Sequence, residues 1–336
     1  MLAAWLTRGR FLGFPFILGV FSLILLNHTA EAKTYHVGVL LSDDIRLETF
    51  LGLKDGMKKL GYTEGKDVIF EVNNANADNA KLPAMAREIV AGKPDVAIAA
   101  GGVESDALRE ASQGTGVPVV FLAVSSSVER GLVKSMTNPG GNMTGIDTND
   151  AQLTAKRLMY LKKMLPKARR ILIPNFPTLA PSVTAVEVAR KVAPELGFEI
   201  EVIEGKTKEE IARAAAISPD KVDVIYIGMA HPVWQMEKGV FFPISESKKI
   251  PIMGITRENL ANGSFASYAC SRHAAGFQAA RLVKKIFDGV PPQNIPVETP
   301  EKLELVINKW VVERLGLEIP DKVWKLADEI VNVPVN

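Results

Sequence analysis

The sequence predicts an α/β protein built as two lobes, each lobe a parallel β-sheet sandwiched between helices. Short apolar runs typical of strands alternate with segments whose apolar residues recur every three or four positions, as on one face of a helix. The strand runs are apolar without clean alternation, which is typical of strands buried on both faces of a parallel sheet. The series stops and restarts near the middle of the chain, which indicates two lobes with one layout.

The first series predicts four strands joined by helices. Phe50, Leu53, Met57 and Leu60 recur at spacings of three and four, so they lie on one face of a helix that Gly61 ends and that packs on the sheet. The predicted strands are residues 35–41, 68–72, 96–100 and 117–124.

A turn of glycines and proline at residues 138–142 ends the first series. The second series has predicted strands at 170–174, 198–204, 222–228 and 250–255, and helices at about 153–165, 183–196 and 233–248. A polar stretch at 256–259, a strand at 263–268, a helix at about 274–288 and a proline-rich segment at 291–300 follow.

The three irregular stretches are the candidate crossings of the chain between the lobes. They predict a first lobe made of residues 33–143 plus about 257–292, and a second lobe made of residues 144–256 plus about 293–336.

Residues 1–32 have the pattern of a secretory signal peptide. Two arginines make a basic start, residues 11–26 form an uncharged and mostly apolar run, and Ala30-Glu31-Ala32 supplies a small-x-small cleavage pattern. We expect cleavage to begin the mature chain at Lys33 and to leave it soluble in the periplasm. The alternative is a retained membrane anchor, for which the run is short and interrupted by Pro15.

The composition excludes several classes of function. The chain has 336 residues, 47% of them hydrophobic and 23% charged, as in ordinary globular proteins. A formal net charge of +2 gives no basic field, so nucleic acid is not an expected partner. The single cysteine, Cys270, excludes an internal disulfide and a cysteine-built metal cage, and His231 and His273 lack metal-ligand spacing. We expect no metal and no cofactor.

Two facing lobes form a cleft where the carboxyl ends of their strands meet. Ligands of parallel sheets bind there because loops and helix N-termini with unpaired N–H groups converge. The loops have a modest polar content, suited to orienting one small molecule. The candidate ligand-binding residues are Ser42, Asp43, Gly101, Gly102, Glu104, Ala123, Ser125, Ser126, Asn175, Phe176, Met229, His231, Trp234, Arg257 and Arg272.

These candidates have structural alternatives. The serines and Asp43 either contact the ligand or cap helices. Gly101 and Gly102 either let the ligand approach the backbone or only permit a tight turn. Trp234 either stacks on a flat ligand or packs on its own lobe. Arg272 either holds a carboxylate in bidentate fashion or is solvated at the surface.

A set of short motifs stands in one order between residues 36 and 332. The motifs are Val37-Gly38-Val39-Leu40, Gly52-Leu53-Lys54-Asp55-Gly56, Leu60-Gly61-Tyr62, Pro118-Val119-Val120-Phe121, Gly131-Leu132-Val133, Asn138-Pro139-Gly140-Gly141-Asn142-Met143-Thr144-Gly145, Ala266-Ser267-Tyr268, Gly276-Phe277-Gln278-Ala279-Ala280, Leu305-Val306-Ile307-Asn308 and Leu315-Gly316-Leu317-Glu318-Ile319-Pro320. Together they resemble the periplasmic substrate-binding proteins of ABC transporters, in the subgroup that includes tryptophan- and phenylalanine-type binders.

The resemblance implies a two-lobed type I periplasmic-binding fold, a venus flytrap that closes by a hinge around a solute and delivers it to an ABC-type membrane permease. The implied partners are a small molecule and that permease, and we expect a monomer. Two departures bear on the ligand. Ala230 stands where many relatives have an aspartate, and Ser271, Arg272 and His273 stand where relatives often have an acidic and an aromatic residue. We therefore expect a neutral or anionic solute, with Arg272 on the anion.

An enzyme is not expected from the sequence. It has no G-x-S-x-G elbow, no phosphate loop, no G-x-G-x-x-G and no H-E-x-x-H. A Ser/His/Asp site assembled from distant residues remains open, because such sites are recognised by geometry. The stronger alternative is a solute-binding sensor subunit that docks on a membrane receptor. A DNA-binding regulator with the same two-lobed domain is disfavoured, since an export signal stands at the N-terminus in place of a DNA-reading helix pair.

Overall fold

The computed structural model describes residues 33–216, 222–229 and 231–335, without the side chains of His231, Pro232 and Trp234. The predicted signal peptide therefore lies outside the described residues. The strands are β1 (Tyr35–Leu41), β2 (Val68–Asn74), β3 (Val96–Ala99), β4 (Val119–Val124), β5 (Met143–Asp147), β6 (Arg170–Asn175), β7 (Glu199–Glu204), β8 (Val224–Tyr226), β9 (Ile252–Gly254), β10 (Ala266–Cys270), β11 (Leu303–Asn308) and β12 (Glu329–Val331).

Helices connect most of these strands. The α-helices are α1 (Leu47–Lys59), α2 (Leu82–Ala91), α3 (Gly102–Ser112), α4 (Asp150–Met164), α5 (Ala180–Val192), α6 (Lys208–Ala216), α7 (His231–Met236), α8 (Phe242–Lys248), α9 (Asn259–Asn262), α10 (Arg272–Phe287), α11 (Lys309–Leu315) and α12 (Asp321–Trp324). A π-helical turn, Glu237–Phe241, joins α7 to α8. Within the described ranges, no helix is long and apolar enough to cross a membrane.

The first sheet has the order β2-β1-β3-β4-β5, and its strands are parallel. Its two faces have separate cores, because successive strand residues point to opposite sides. Val37 and Val39 pack against α1 and α10, whereas Leu40 packs against α2 and α3. This arrangement confirms the predicted sheet sandwiched between helices.

Helices α1 and α10 touch through their backbones. A Cβ atom on Gly276 would lie 1.8 Å from the carbonyl oxygen of Thr49, and one on Gly52 would lie 2.0 Å from that of His273. Only glycine allows this approach. The contact holds α10 against the first sheet, although α10 follows a strand of the second sheet in the chain.

The second sheet has the order β12-β11-β10-β9-β8-β6-β7. Strands β6 to β9 are parallel, as predicted for this lobe. Strand β10, which was predicted for the first lobe, also runs parallel to β9, whereas β11 is antiparallel to β10 and parallel to β12. One face packs on α4, α5 and α11 around Leu158 and Tyr226, and the other packs on α6 and α8 around Ile225 and Phe242. The two-lobed α/β architecture is confirmed, with two antiparallel strands that the sequence did not predict.

The chain crosses between the lobes at other places than predicted. The glycine turn at 138–142 precedes β5, which still belongs to the first sheet, so the first crossing lies at Thr148 and Asn149. Segment 256–259 is a turn within the second lobe, and β10 pairs with β9, so the second crossing is at Ser271. The third lies between Glu298, which still bridges to β5, and the start of β11.

Candidate functional site

A cavity of about 400 Å³ lies between the lobes, where the carboxyl ends of the strands meet. Several of the predicted residues line it. They are Ser42, Asp43, Gly102, Ala123, Ser125, Arg257 and Arg272. The lining also includes residues that the sequence did not single out as ligand contacts. Among them are Arg46, Glu48, Arg130, Thr148, Asp150, Thr256, Glu258, Ser267 and Glu304.

The first-lobe wall begins at the end of β1, where a buried carboxylate organises the backbone. Glu104 is fully buried, and its Oε1 accepts a hydrogen bond from the backbone N–H of Ser42 at 2.9 Å. The Nε of Arg46 lies 3.5 Å from the same oxygen. A Cβ on Gly101 would lie 2.7 Å from the Arg46 guanidinium carbon and 2.8 Å from Glu104 Oε2. Glu104 and Gly101 therefore shape this wall from behind and are not part of the lining.

The N-terminus of α3 points into the same wall. Gly101, the cap residue, has no side chain to accept hydrogen bonds from the first-turn N–H groups. Arg130 lies against Gly102, where a Cβ would come within 2.9 Å of its guanidinium, and it is itself held by Asp106 at 2.7 Å. Uncapped N–H groups beside a guanidinium suit a carboxylate.

The serine turn after β4 is fixed by a carboxylate behind it. Asp147 accepts hydrogen bonds from the backbone N–H groups of Ser126, at 3.3 Å, and Ser127, at 2.7 Å. Ser126 has a left-handed backbone with φ of 62° and does not line the cavity. Ser125 does line it, and its buried Oγ has no hydrogen-bond partner in the described part of the protein. These serines form a turn and do not cap a helix.

The second-lobe wall is the face of the β10–β11 pair. Ser267 pairs with Val306, and Ala269 pairs with Glu304, and all four residues line the cavity. This face is available because α10, which follows β10, packs on the first lobe. Ser267 is 1% exposed, and its Oγ has no hydrogen-bond partner among the described residues. A small polar residue inside an apolar strand run was the only sequence signal for it.

Segment 255–258, between β9 and α9, completes this wall. Asn259 Oδ1 accepts hydrogen bonds from the backbone N–H groups of Ile255, at 3.0 Å, and Thr256, at 2.8 Å. Arg257, a predicted ligand residue, makes a bidentate ion pair with Glu329 of β12, at 2.5 and 2.7 Å. Its guanidinium is thus held at the rim by a carboxylate of the same chain.

Arg272 also has a partner within the chain. Its Nε lies 2.8 Å from Glu258 Oε1, so the pair joins the first-lobe helix α10 to the second-lobe segment 255–258. Burial alone would raise the pKa of Glu258, but the Arg272 guanidinium and hydrogen bonds outweigh it and hold the pKa at about 2. The sequence left open whether Arg272 holds a ligand carboxylate or is solvated at the surface. In the structure, Arg272 is mostly buried and lies beside the Glu258 carboxylate of the same chain.

A buried arginine fixes the first crossing. Arg157 is fully buried and donates to Asp150 Oδ1 at 2.6 Å, to the Tyr268 carbonyl at 2.8 Å and to the Ile255 carbonyl at 3.1 Å. Burial disfavours its charge, but Tyr226 and Asp150 favour it, and the net effect raises the pKa of Arg157. Asp150, Ile255 and the end of β10 are thereby held in one position beside the cavity.

Three predicted second-lobe residues lie away from the cavity. Asn175 is 3% exposed, accepting from Ser182 Oγ at 2.7 Å and donating to Glu204 at 3.0 Å. Phe176 and Met229 are buried in the two cores of the second lobe. The reason for Asn175 and Phe176 is strand order, since β6 lies near the far edge of the sheet from β10 and β11.

The predictions for Ala230, His231 and Trp234, which follow β8, stay predictions. Ala230 lies outside the described residues, as do the side chains of His231 and Trp234. Cys270 lines the cavity, and burial raises the pKa of its thiol to about 12.

The model of the family described as ABC transporter substrate binding protein matches residues 35–331 of this chain. A tyrosine-binding protein of Clostridioides difficile (strain R20291) is 25% identical over 267 residues, which cover 80% of this chain and 76% of that protein.

Several solved structures have a fold similar to that of this chain. An ABC domain from Streptococcus pneumoniae in complex with L-Trp has a TM-score of 0.74 and 24% identity, covering 89% of this chain and all of that one. A conserved domain protein from Vibrio cholerae has a TM-score of 0.72 and 27% identity, with 89% and 99% coverage. A substrate-binding protein with adhesive properties from Clostridium difficile, ligand-free and open, has a TM-score of 0.74 and 23% identity, with 90% and 100% coverage.

A polar cavity between two α/β lobes is an arrangement suited to binding a small solute. The chain belongs to the ABC transporter substrate-binding protein family. It captures a small molecule between its lobes for an ABC transporter, and the sensor alternative is not favoured. The family is one of extracytoplasmic binding proteins and not of enzymes.

Proposed function

We propose that the solute is an amino acid, bound as a zwitterion with both charged ends on the first lobe. We assign the carboxylate to the N-terminus of α3, where Gly102 and Val103 line the cavity and the helix has no side-chain cap. Ser125 and Arg130 line the cavity beside them. Together these groups offer hydrogen-bond donors and positive potential to one anionic group.

The ammonium group is assigned to Asp43. This carboxylate lines the cavity in the same lobe and caps the turn Asp44–Arg46. Its Oδ1 accepts a hydrogen bond of 3.3 Å from the backbone N–H of Arg46, and its Oδ2 accepts one of 3.3 Å from the Ser42 hydroxyl. The second lobe then closes on the ligand with the face that carries Ser267 and Glu304. The sequence predicted a neutral or anionic solute from Ala230 and from the cations Arg272 and His273, and the pairing of Arg272 with Glu258 removes the Arg272 part of that argument.

The observation that carries the proposal is a pair of buried hydroxyls, Ser125 from one lobe and Ser267 from the other. Both belong to residues that line the cavity, and neither has a hydrogen-bond partner among the described residues. A buried hydroxyl left unpaired costs about 1–3 kcal/mol, which a polar ligand relieves. The relatives described as tyrosine-binding and as bound to L-Trp support an amino acid as the class of ligand.

The amino-acid assignment is tested by calorimetric titration with L-tyrosine, L-tryptophan and a panel of other amino acids. N-acetyl-L-tyrosine removes the ammonium charge and L-tyrosinamide removes the carboxylate, so both should bind much more weakly than the parent. Equal binding of either derivative would contradict a zwitterion site. Binding of neutral or dicarboxylate solutes in place of every amino acid would reject the class.

The two hydroxyls are tested with matched variants. Ser125→Ala and Ser267→Ala should each weaken binding roughly three- to tenfold, the value of one neutral hydrogen bond. Ser245→Ala is the control, because Ser245 Oγ is also buried and partnerless among the described residues but does not line the cavity. A loss of affinity in the control as large as in the cleft variants would reject the assignment.

The cellular part of the proposal is a monomer that is exported, cleaved after Ala32 and active in the periplasm, where it passes the ligand to the permease without chemical change. The cleavage pattern Ala30-Glu31-Ala32 supports it. N-terminal sequencing of periplasmic protein should begin at Lys33. An intact Met1 chain in the membrane fraction would contradict it.

A further inference from the structure

A carboxylic acid lies buried in the second lobe and has no charged partner among the described residues. Glu237 opens the π-helical turn Glu237–Phe241 and is fully buried. Its Oε2 lies 2.5 Å from Asn259 Nδ2, and its Oε1 lies 2.5 Å from Ser264 Oγ. Turns of this kind are rare and occur often at functional sites. No part of Glu237 reaches the cavity, so any role in the site is indirect.

Asn259 connects Glu237 to the cavity. Its Oδ1 accepts from the backbone N–H groups of Ile255 and Thr256 and from the Thr256 hydroxyl at 3.1 Å. A carboxamide has an NH₂ donor end and an oxygen acceptor end. Asn259 can accept from these N–H groups only when its Oδ1 faces segment 255–258. Glu237 accepts from the NH₂ end and so fixes which end faces segment 255–258.

Segment 255–258 carries the geometry of the cleft. Its residues line the cavity, and Glu258 pairs with Arg272 of the first lobe. The Ile255 carbonyl also accepts from the buried Arg157. A shift of the Ile255 and Thr256 backbone therefore changes both the second-lobe wall and the contact between the lobes.

We propose that Glu237 is a positioning residue for the ligand site, which acts through Asn259 to hold segment 255–258 in its binding geometry. The proposal rests on the function above only for its effect on the affinity for the ligand. The positioning itself is a property of the protein without ligand.

The state of the carboxyl group makes the proposal measurable. Burial raises the pKa of Glu237 to about 8, against an ordinary value of 4.5. Below pH 8 the group is neutral and both donates and accepts, with the Ser264 hydroxyl as a possible acceptor. Above pH 8, the buried anion faces the Asn259 amide and the Ser264 hydroxyl, and the part of the protein that the structure describes offers it no cation.

The charged groups of the elements packed around the turn are exposed or paired elsewhere. Exposed side chains are those of Lys208, Glu209, Glu210 and Arg213 on α6, Lys238 on the turn and Lys248 on α8. Glu246 of α8 pairs with Arg314, and Glu258 before α9 pairs with Arg272. The side chain of His231 on α7 lies outside the described residues.

The test is an NMR titration of the ligand-free protein between pH 6 and 9.5. In the wild type, the Asn259 side-chain NH₂ signals and the Ile255 and Thr256 amide signals should move together with one midpoint near pH 8. In Glu237→Gln, a neutral near-isostere, these signals should not move at that midpoint. Ser245→Ala is the matched control and should titrate like the wild type.

Each other outcome rejects the proposal. Movement of the Asn259 signals without movement of the Ile255 and Thr256 amides would mean that Glu237 ionises without positioning the segment. If the wild type shows no midpoint near pH 8, or if Glu237→Gln shows the same midpoint, Glu237 is not the group that moves these signals and the proposal is rejected.

Affinity for L-tyrosine, measured at pH 6.5 and pH 8.8, supplies the functional arm. The wild type should bind several-fold more weakly at the higher pH, and Glu237→Gln should bind equally at both. If the wild type binds L-tyrosine equally well at pH 6.5 and pH 8.8, Glu237 has no effect on the ligand site. If L-tyrosine does not bind at either pH, that result counts against the amino-acid assignment. The NMR titration uses the ligand-free protein, so it still decides whether Glu237 positions the segment.

Discussion

Two fully buried glutamates, one in each lobe, stand behind the two walls of the cleft and are compensated in opposite ways. Glu104 in the first lobe accepts from the Ser42 backbone N–H and has the Arg46 guanidinium 3.5 Å away. Glu237 in the second lobe has an amide and a hydroxyl as its partners. Each of them organises a backbone segment that lines the cavity.

The difference teaches how a buried carboxylate is tolerated. An unpaired charge in a low-dielectric interior is costly, so the group either obtains a cation or becomes neutral. Beside Arg46, the first-lobe wall is built around a charge pair. Burial raises the pKa of Glu237 to about 8, with no cation beside it in the described ranges, and the second-lobe wall is built around a neutral acid at physiological pH.

The largest effect expected from this comparison is a loss of stability with rising pH that depends on Glu237. The folded protein keeps the Glu237 proton up to about pH 8, whereas the unfolded chain loses it near 4.5. The stabilisation is complete below pH 4.5 and is lost as the pH rises through 8, with an upper limit of roughly 5 kcal/mol.

Urea unfolding of the wild type and of Glu237→Gln at pH 5, 6.5 and 8.5 checks this prediction. The variant should lack this part of the pH dependence and should be the more stable of the two at pH 8.5. Parallel curves for the two proteins would contradict a neutral Glu237.

Arg157 tests the charged alternative, in which a buried arginine is paired with a carboxylate. Arg157→Met leaves the part-buried Asp150 carboxylate without its cation and the buried Tyr268 and Ile255 carbonyl oxygens without this donor, which together should cost about 3–5 kcal/mol. Urea unfolding at pH 7 measures it. The control is Arg170→Met, whose exposed pair with Glu199 should contribute less than about 1 kcal/mol.

The same isosteric change made at Glu104 sharpens the contrast. Glu104→Gln keeps an acceptor for the Ser42 N–H but loses the charge that faces Arg46, so it should destabilise the protein by about 1–3 kcal/mol at pH 7. At pH 8.5, glutamine should therefore destabilise at position 104 and stabilise at position 237. A stabilising effect at both positions would mean that the Arg46 pair contributes nothing.

The fold and the first-lobe wall were predictable because both follow from local order along the chain. Apolar runs and helical spacing locate most strands, and the loops after β1, β3 and β4 lie at one edge of a parallel sheet. Ser42, Asp43, Gly102 and Ser125 were found in this way, and they line the cavity.

The second-lobe wall depends on which strand lies beside which, and a periodic pattern does not carry that information. The assignment of strand 263–268 to the first lobe was wrong because β10 pairs with β9 and β11. Asn175 stands at the carboxyl end of its strand, as Ser42 stands at the end of β1, but β6 is near the far edge of the sheet. Ser267 resembles a core residue in sequence, and only the departure of α10 to the other lobe leaves its face beside the cavity.

The smallest effect concerns Arg272, the cation that joins the two walls. Its side chain is 20% exposed and that of Glu258 is 35% exposed, so solvent weakens the pair, and Arg272→Ala should cost only about 1 kcal/mol at pH 7. The pKa of Glu258 is lowered to about 2, so the pair stabilises the protein above pH 4.5 and is lost as the pH falls toward 2. The variant should lack this acid-side loss in urea unfolding.

Ligand-binding measurements distinguish an Arg272 that only joins the lobes from an Arg272 that contacts the ligand. If Arg272 serves only to join the lobes, Arg272→Ala should change the affinity for L-tyrosine by less than about tenfold, and Glu258→Gln should change it to a similar extent because both variants break the same pair. A direct contact with a ligand anion would instead cost about 2–5 kcal/mol in Arg272→Ala, with Glu258→Gln unaffected or improved, because removing Glu258 frees the guanidinium. The second pattern would restore the anionic solute that the sequence favoured.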